Sequence, residues 1–230
     1  MAQALIPLKH GKNEMLSLVA RLNGHVFDTD PVITYMLLEM PREQRLAYLP
    51  TYWTILVRSA LLNGAVITEA DNWKAASVIL PPGKYIDNLW TLLSAGFLCV
   101  LWRMGFAGFW RLWTEFSGMT DRAKKIGLHG QKRYYYIFSI GTKHEHRGKG
   151  LAKAIMIDHQ KTVESKNLPI WLEATSKGSR NLYLSLGFKE IEEILLGKYK
   201  VAADASLQPG GPGISIYAMV WWPESSSARP

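Results

Sequence analysis

The stretch that most constrains this chain lies between Arg133 and Ser165. Residues 133–141, "RYYYIFSIG", are apolar almost without interruption, as in a strand covered on both faces of a sheet. From about Lys149 to Ser165 a helix is predicted, because Leu151, Ala152, Ile155, Met156 and His159 recur at helical spacing while Lys153, Asp158 and Lys161 face elsewhere. Between the two lies "TKHEHRGKG", which ends on two glycines, Gly148 and Gly150, interleaved with two cations, Arg147 and Lys149. A helix N-terminus presents amides without intrahelical partners, and the helix dipole adds partial positive charge. Glycines let the chain turn sharply and let a ligand approach closely. Arg147 and Lys149 add full charges. Such a junction is built for an anion, phosphate above all.

Two common nucleotide-loop spacings fail here. The pattern G-x-x-x-x-G-K-[ST] is absent, and G-x-G-x-x-G begins at Gly148 and Gly150 but meets Lys153 at its third glycine. The spacing that fits is R-x-x-G-x-A, at Arg147, Gly150 and Ala152.

Upstream, residues 13–27 read as an amphipathic helix with Met15, Leu18, Val19, Leu22 and Val26 on one face. Asp30-Pro31 signals an N-cap, and a helix is predicted from there to about Met40. A third helix spans about 42–62, with Pro50 expected to kink or divide it. "AVITEA" (65–70) and "KAASVIL" (74–80) form a predicted hairpin. Downstream, "PIWLEAT" (169–175) is a strand, "SRNLYLSLGF" (179–188) a short helix ended by Gly187, and "KEIEEILLGKYK" and "GISIYAMVWW" are strand-like. Residues 201–213 read as a mobile loop and 223–230 as a flexible tail. The order from residue 65 gives an α/β fold: a mixed sheet with a locally parallel part and antiparallel flanks.

One segment stands apart, an aromatic-rich helical insertion at about 84–126. Its longest uncharged run, Leu89 to Trp102, is too short to span a bilayer. It reads as a buried or cap-forming insertion, with membrane-surface contact through 89–113 as the alternative. The net charge of +8 points to an anionic partner. Nucleic acid fits poorly, because the cations are scattered and no zinc-finger or RNA-recognition signature occurs. A single cysteine, Cys99, forbids an internal disulfide, and no secretory signal is evident, so a cytoplasmic setting is expected.

Taken with its strand and helix, the R-x-x-G-x-A loop resembles the acyl-CoA pyrophosphate loop of the GCN5-related N-acetyltransferase (GNAT) family. "IWLEAT" and "SRNLYLSLGF" are similar to that family's next strand and helix. "DPVITYML", "LLNGAVITEAD" and "VILPPG" resemble a fungal and actinobacterial branch of mostly uncharacterised members. The likeness covers roughly 25–222 apart from the insertion, and implies one acetyltransferase domain over 1–222 with a sheet whose parallel strands splay and helices on both faces. His144 stands where the family often has proline, and Thr142 where valine is usual.

The resemblance implies an acetyl-CoA-dependent N-acetyltransferase that acylates a primary amine by direct attack, with no metal. Arg147, Gly148, Lys149, Gly150, Leu151 and Ala152 would hold the pyrophosphate. Backbone groups near Ile140 and Thr142, and the side chain of Asn181, would meet the pantetheine. Tyr183 would protonate the leaving thiolate. An alkylammonium must lose a proton to attack, and Glu173 is the first candidate base. Asp28, Asp30 and Glu39 are further carboxylates that could hold an ammonium, though capping and surface roles also explain them. His144 and His146 read as loop residues beside phosphate, and His25 as a cap or core-edge residue. The aromatic insertion hints at a small apolar or aromatic acceptor. Protein lysine, N-terminal or O-acetylation, or acyl-CoA binding without turnover, are the alternatives, and the sequence sets no oligomeric state.

Overall fold

The computed structural model describes residues 6–224, so most of the predicted tail lies outside the described residues. Seven strands form one mixed sheet in the order β1-β2-β3-β4-β5-β7-β6. They are β1 (Leu8–Gly11), β2 (Val66–Ala70), β3 (Ala75–Leu80), β4 (Tyr135–Thr142), β5 (Ile170–Ala174), β6 (Lys189–Leu196) and β7 (Ile214–Trp221). Only β4 and β5 run parallel, and they pair only at Tyr135↔Ile170 and Tyr136↔Trp171. Beyond Tyr136 the two strands part. β4 stays with β3 as far as Thr142, and β5 stays with β7 as far as Ala174, so a gap opens between their C-terminal halves.

The β3–β4 register jumps between Val78↔Ser139 and Ile79↔Ile137, leaving Phe138 unpaired. This bulge bends the strand and puts Phe138 and Ser139 on one face. Phe138 packs beside Trp53, and the Ser139 hydroxyl accepts from Asn23 Nδ2 at 3.1 Å.

Helices α1 (Leu16–Val26), α2 (Pro31–Met36) and α3 (Arg42–Leu62) cover one face. Their core takes in Trp171, Ala218 and Val220 of the sheet. On the other face lie α7 (Leu151–Glu164) and α8 (Lys177–Ser185), over Ile137, Leu172, Ala174 and Met219. Trp171 is wholly buried, and truncation to alanine at such a site costs about 3–5 kcal/mol. Between β3 and β4 the chain forms α4 (Leu89–Ala95), α5 (Phe97–Trp110), a π-helical segment Arg111–Ser117, and α6 (Gly118–Gly127). Phe97, Val100 and Met104 of α5 join the α1–α3 core, as the sequence anticipates for a capping insertion.

Several expectations need correction. Leu18 does not join the α1 core stripe but is 40% exposed, and Ala20 and Asn23 are buried instead. Helix α2 ends at Met36 rather than near Met40. Pro50 does not divide α3, which runs from Arg42 to Leu62 with Gly24 of α1 packed close to the proline. Residues 201–213 are knitted by backbone bonds, Gly213 N to Val201 O at 2.9 Å and Gln208 N to Lys200 O at 3.0 Å among them. β1 was not anticipated, because four residues with two polar side chains carry no alternation to read.

Candidate active site

The parting of β4 and β5 is the centre of the site. One short turn bridges its mouth on the α1–α2 side. Val26 and Phe27 press on Gly141 of β4, where any side chain would collide with Val26. Asp30 reaches the end of β5, its Oδ2 accepting from Thr175 Oγ1 at 2.7 Å. The other oxygen of Asp30 caps α2, accepting from the amides of Val32 and Ile33. Burial pushes the Asp30 carboxyl up, against the pull of the Thr175, Ile33 and Val32 hydrogen bonds.

Thr142 leads through Lys143 and a short 3₁₀ turn, His144–His146, to the glycines. Gly148 and Gly150 both adopt φ near +77°, a conformation that side chains disfavour. Nothing lies within 4 Å of where a Cβ would stand at either position. Gly150 is the N-cap of α7, and no side chain caps that end. The first intrahelical bond runs from Ala154 N to Gly150 O, so the amides of Leu151, Ala152 and Lys153 precede it. Arg147 and Lys149 are exposed beside them. An open cradle of amides with two cations fits a diphosphate.

Tyr183 and Glu173 sit on opposite faces of the sheet. Tyr183 packs in the α7–α8 core with its ring 5.6 Å from Phe188. Its hydroxyl has no hydrogen-bond partner among the described residues, yet it is not among the fully buried orphan atoms. Burial pushes this phenol well above its ordinary range, so it keeps its proton at neutral pH. Asn181, two residues earlier, is exposed. Glu173 lies on the Trp171 face of β5, as strand alternation requires. Its Oε1 accepts from Trp171 Nε1 at 2.6 Å and its Oε2 from Tyr136 OH at 2.8 Å.

Two groupings escaped the sequence reading. His144 turns to Asp28, 3.3 Å away, with its ring edge-on to His25 at 5.2 Å. It therefore packs against the bridging turn. Residues 28 and 144 share no local pattern that could have linked them. The second grouping lies five residues into α2, at the opposite end from Asp30. There a cavity of about 620 Å³ is walled by Tyr35, Leu38, Phe106, Trp110, Val201 and Leu207. Arg111 grips Glu39 through both terminal nitrogens, and Glu115 accepts from Tyr35, Lys200 and the Gly197 amide.

A splayed parallel pair leading to an uncapped, glycine-bounded helix start is the framework of this site. The model of the acetyltransferase (GNAT) family matches residues 68–188. This chain belongs to that family. It is 22% identical over 171 residues to an uncharacterised N-acetyltransferase of Schizosaccharomyces pombe, covering 74% of this chain and 69% of that protein. Its fold is similar to a Corynebacterium glutamicum structure described as histone acetyltransferase HPA2 and related acetyltransferase, with TM-score 0.64 at 16% identity over 96% of this chain and 98% of that one. It is similar also to the polyamine N-acetyltransferase of Drosophila melanogaster, with TM-score 0.62 at 13% identity over 94% and 99%.

Proposed function

We propose that this protein transfers an acetyl group from acetyl-CoA to the primary amine of a small apolar or aromatic acceptor. The observation that carries the reading is the β4–β5 gap, with the uncapped α7 start at its end and separate side chains on its two faces. Arg147 to Ala152 hold the pyrophosphate, chiefly through backbone amides. Free backbone groups of β4 near Ile140 and Thr142 receive the pantetheine, with Asn181 beside it. A β4 amide can polarise the thioester carbonyl where negative charge develops.

The amine enters from the α1–α2 side. Glu173, partly exposed, takes its proton through water; each oxygen keeps a lone pair after its existing hydrogen bond. Tyr183, protonated on the far face, delivers a proton to the departing sulfur.

Gly150→Asp tests the cradle. It places a carboxylate among the amides, where it repels phosphate and satisfies them itself. The affinity for acetyl-CoA is expected to fall at least about a hundredfold, while the chain without cofactor stays folded, at a somewhat lower melting temperature because φ near +77° strains any side chain. Unchanged affinity, read by thermal shift, refutes the cradle. Free-CoA detection across an amine panel tests turnover. Stabilisation by acetyl-CoA with no release of CoA from any amine refutes the enzymatic reading.

A further inference from the structure

The insertion presents more apolar surface than the core can use. The inward stripe of α5 is Phe97, Val100, Met104 and Gly108. A second, outward stripe comes in two pieces, Leu98 and Trp102 before the break in α5 at Gly105 (φ 65°, ψ 178°), and Phe106 and Trp110 after it. Trp102 is 88% exposed and Phe106 79%. Trp113 continues the stripe past α5, and Trp90 projects from α4 with 79% exposure. Phe106 stacks on Trp110, and Phe109 on Trp113, so the rings form a surface rather than isolated points. Single exposed hydrophobics are ordinary, whereas a cluster of exposed aromatic rings marks an interaction site.

We propose that the α4–α5 stripe docks this protein on an anionic lipid surface. Tryptophan, with an apolar body and one N–H, suits the boundary between acyl chains and headgroups. Between Asp87 and Glu115 the chain carries no acidic residue, only Arg103 and Arg111. Arg111 is spent on Glu39, but Arg103 is exposed within the stripe, its guanidinium 5.7 Å from the Tyr48 ring centre. With the net charge of +8, this complements a negative bilayer face. A second copy fits less well, because a two-fold interface sets Arg103 and its surroundings against themselves. No single helix among the described residues is long and apolar enough to cross a membrane. The α4–α5 pair is bent by 106° at Gly96, which suits a segment lying in the interface.

The test uses the full chain with vesicles of phosphatidylcholine alone or with about a third phosphatidylserine. Wild type is expected to sediment with the anionic vesicles only, and less so as salt rises. The variant combining Trp90→Ala, Leu98→Ala and Trp102→Ala removes exposed side chains outside the cavity and the site. It is expected to keep its circular dichroism and lose about a hundredfold in partitioning. Cys99, the sole cysteine and exposed on α5, offers a reading that needs no variant. An environment-sensitive fluorophore there should shift blue on anionic vesicles. Wild type left in the supernatant, binding indifferent to phosphatidylserine, or a label that does not shift overturns the proposal. So does a concentration-dependent dimer that the triple variant abolishes while no vesicle binding occurs.

Discussion

Tyr183 combines a buried ring with an unpartnered hydroxyl, a pairing with little use in packing alone. Most buried tyrosines find a partner for the phenol. Here the ring stabilises the α7–α8 core, and the acid role proposed for the hydroxyl gives that group a use. Tyr183→Phe is therefore expected to leave stability within about 1 kcal/mol, because no hydrogen bond is lost. It is expected to lower kcat by about a hundredfold, with a smaller change in the KM for acetyl-CoA. Steady-state kinetics across pH check this, and an unchanged rate at every pH removes Tyr183 from the acid role. The residues legible in the sequence were those with local signatures. Asp30 announced itself as an N-cap by the proline after it, and Gly150 by the helix after it. Asp28 with His144, and Tyr136 with Glu173, came together only through strand and turn placement, which no local spacing encodes.

At the scale of elements, the sequence predicted each strand from β2 onward and the helices between them, because periodicity is strong where one face is buried. It missed what tertiary contact decides: the run of α3 through Pro50, the edge strand β1, and the order of the loop 201–213. Glu115 shows how that last loop is held. It sits in the π-helical segment and accepts from Tyr35 at 2.9 Å, Lys200 at 2.7 Å and the Gly197 amide at 3.0 Å, so one carboxylate ties the insertion, α2 and the end of β6. Burial acts to raise its pKa, but the Lys200, Tyr35 and Gly197 bonds outweigh that and hold it below the ordinary value. Glu115→Gln keeps the shape and loses the charge. The expected cost is about 1–3 kcal/mol in urea unfolding, with faster hydrogen exchange in 197–213 than in β4. Equal exchange in both regions shows that the loop is ordered without this clasp.

For the molecule as a whole, α7 is fastened to the sheet by a pH-dependent contact. His159 of α7 is buried, and its Nε2 meets the Ser77 hydroxyl of β3 at 2.7 Å. Burial, aided by the charge of His10, lowers its pKa from 6.5 to about 4. The fold thus favours the neutral ring, while the unfolded chain takes up a proton once the pH drops below 6.5. The stability from this site is fully present above pH 6.5 and is lost as the pH falls toward 4, by about 3 kcal/mol at 1.36 kcal/mol per unit. That is a large share of a typical domain's stability. Because α7 packs on β2, β3 and β4 together, this loss weakens the sheet and the cradle at once. His159→Gln keeps a polar group near Ser77 and removes the titration. Urea midpoints at pH 7, 6 and 5 should fall more steeply for wild type than for the variant, and acetyl-CoA binding should fade with the same steepness. Parallel curves would place the acid sensitivity of this protein elsewhere, in carboxylates such as Glu39 and Glu115, whose pKa values are held low in the fold.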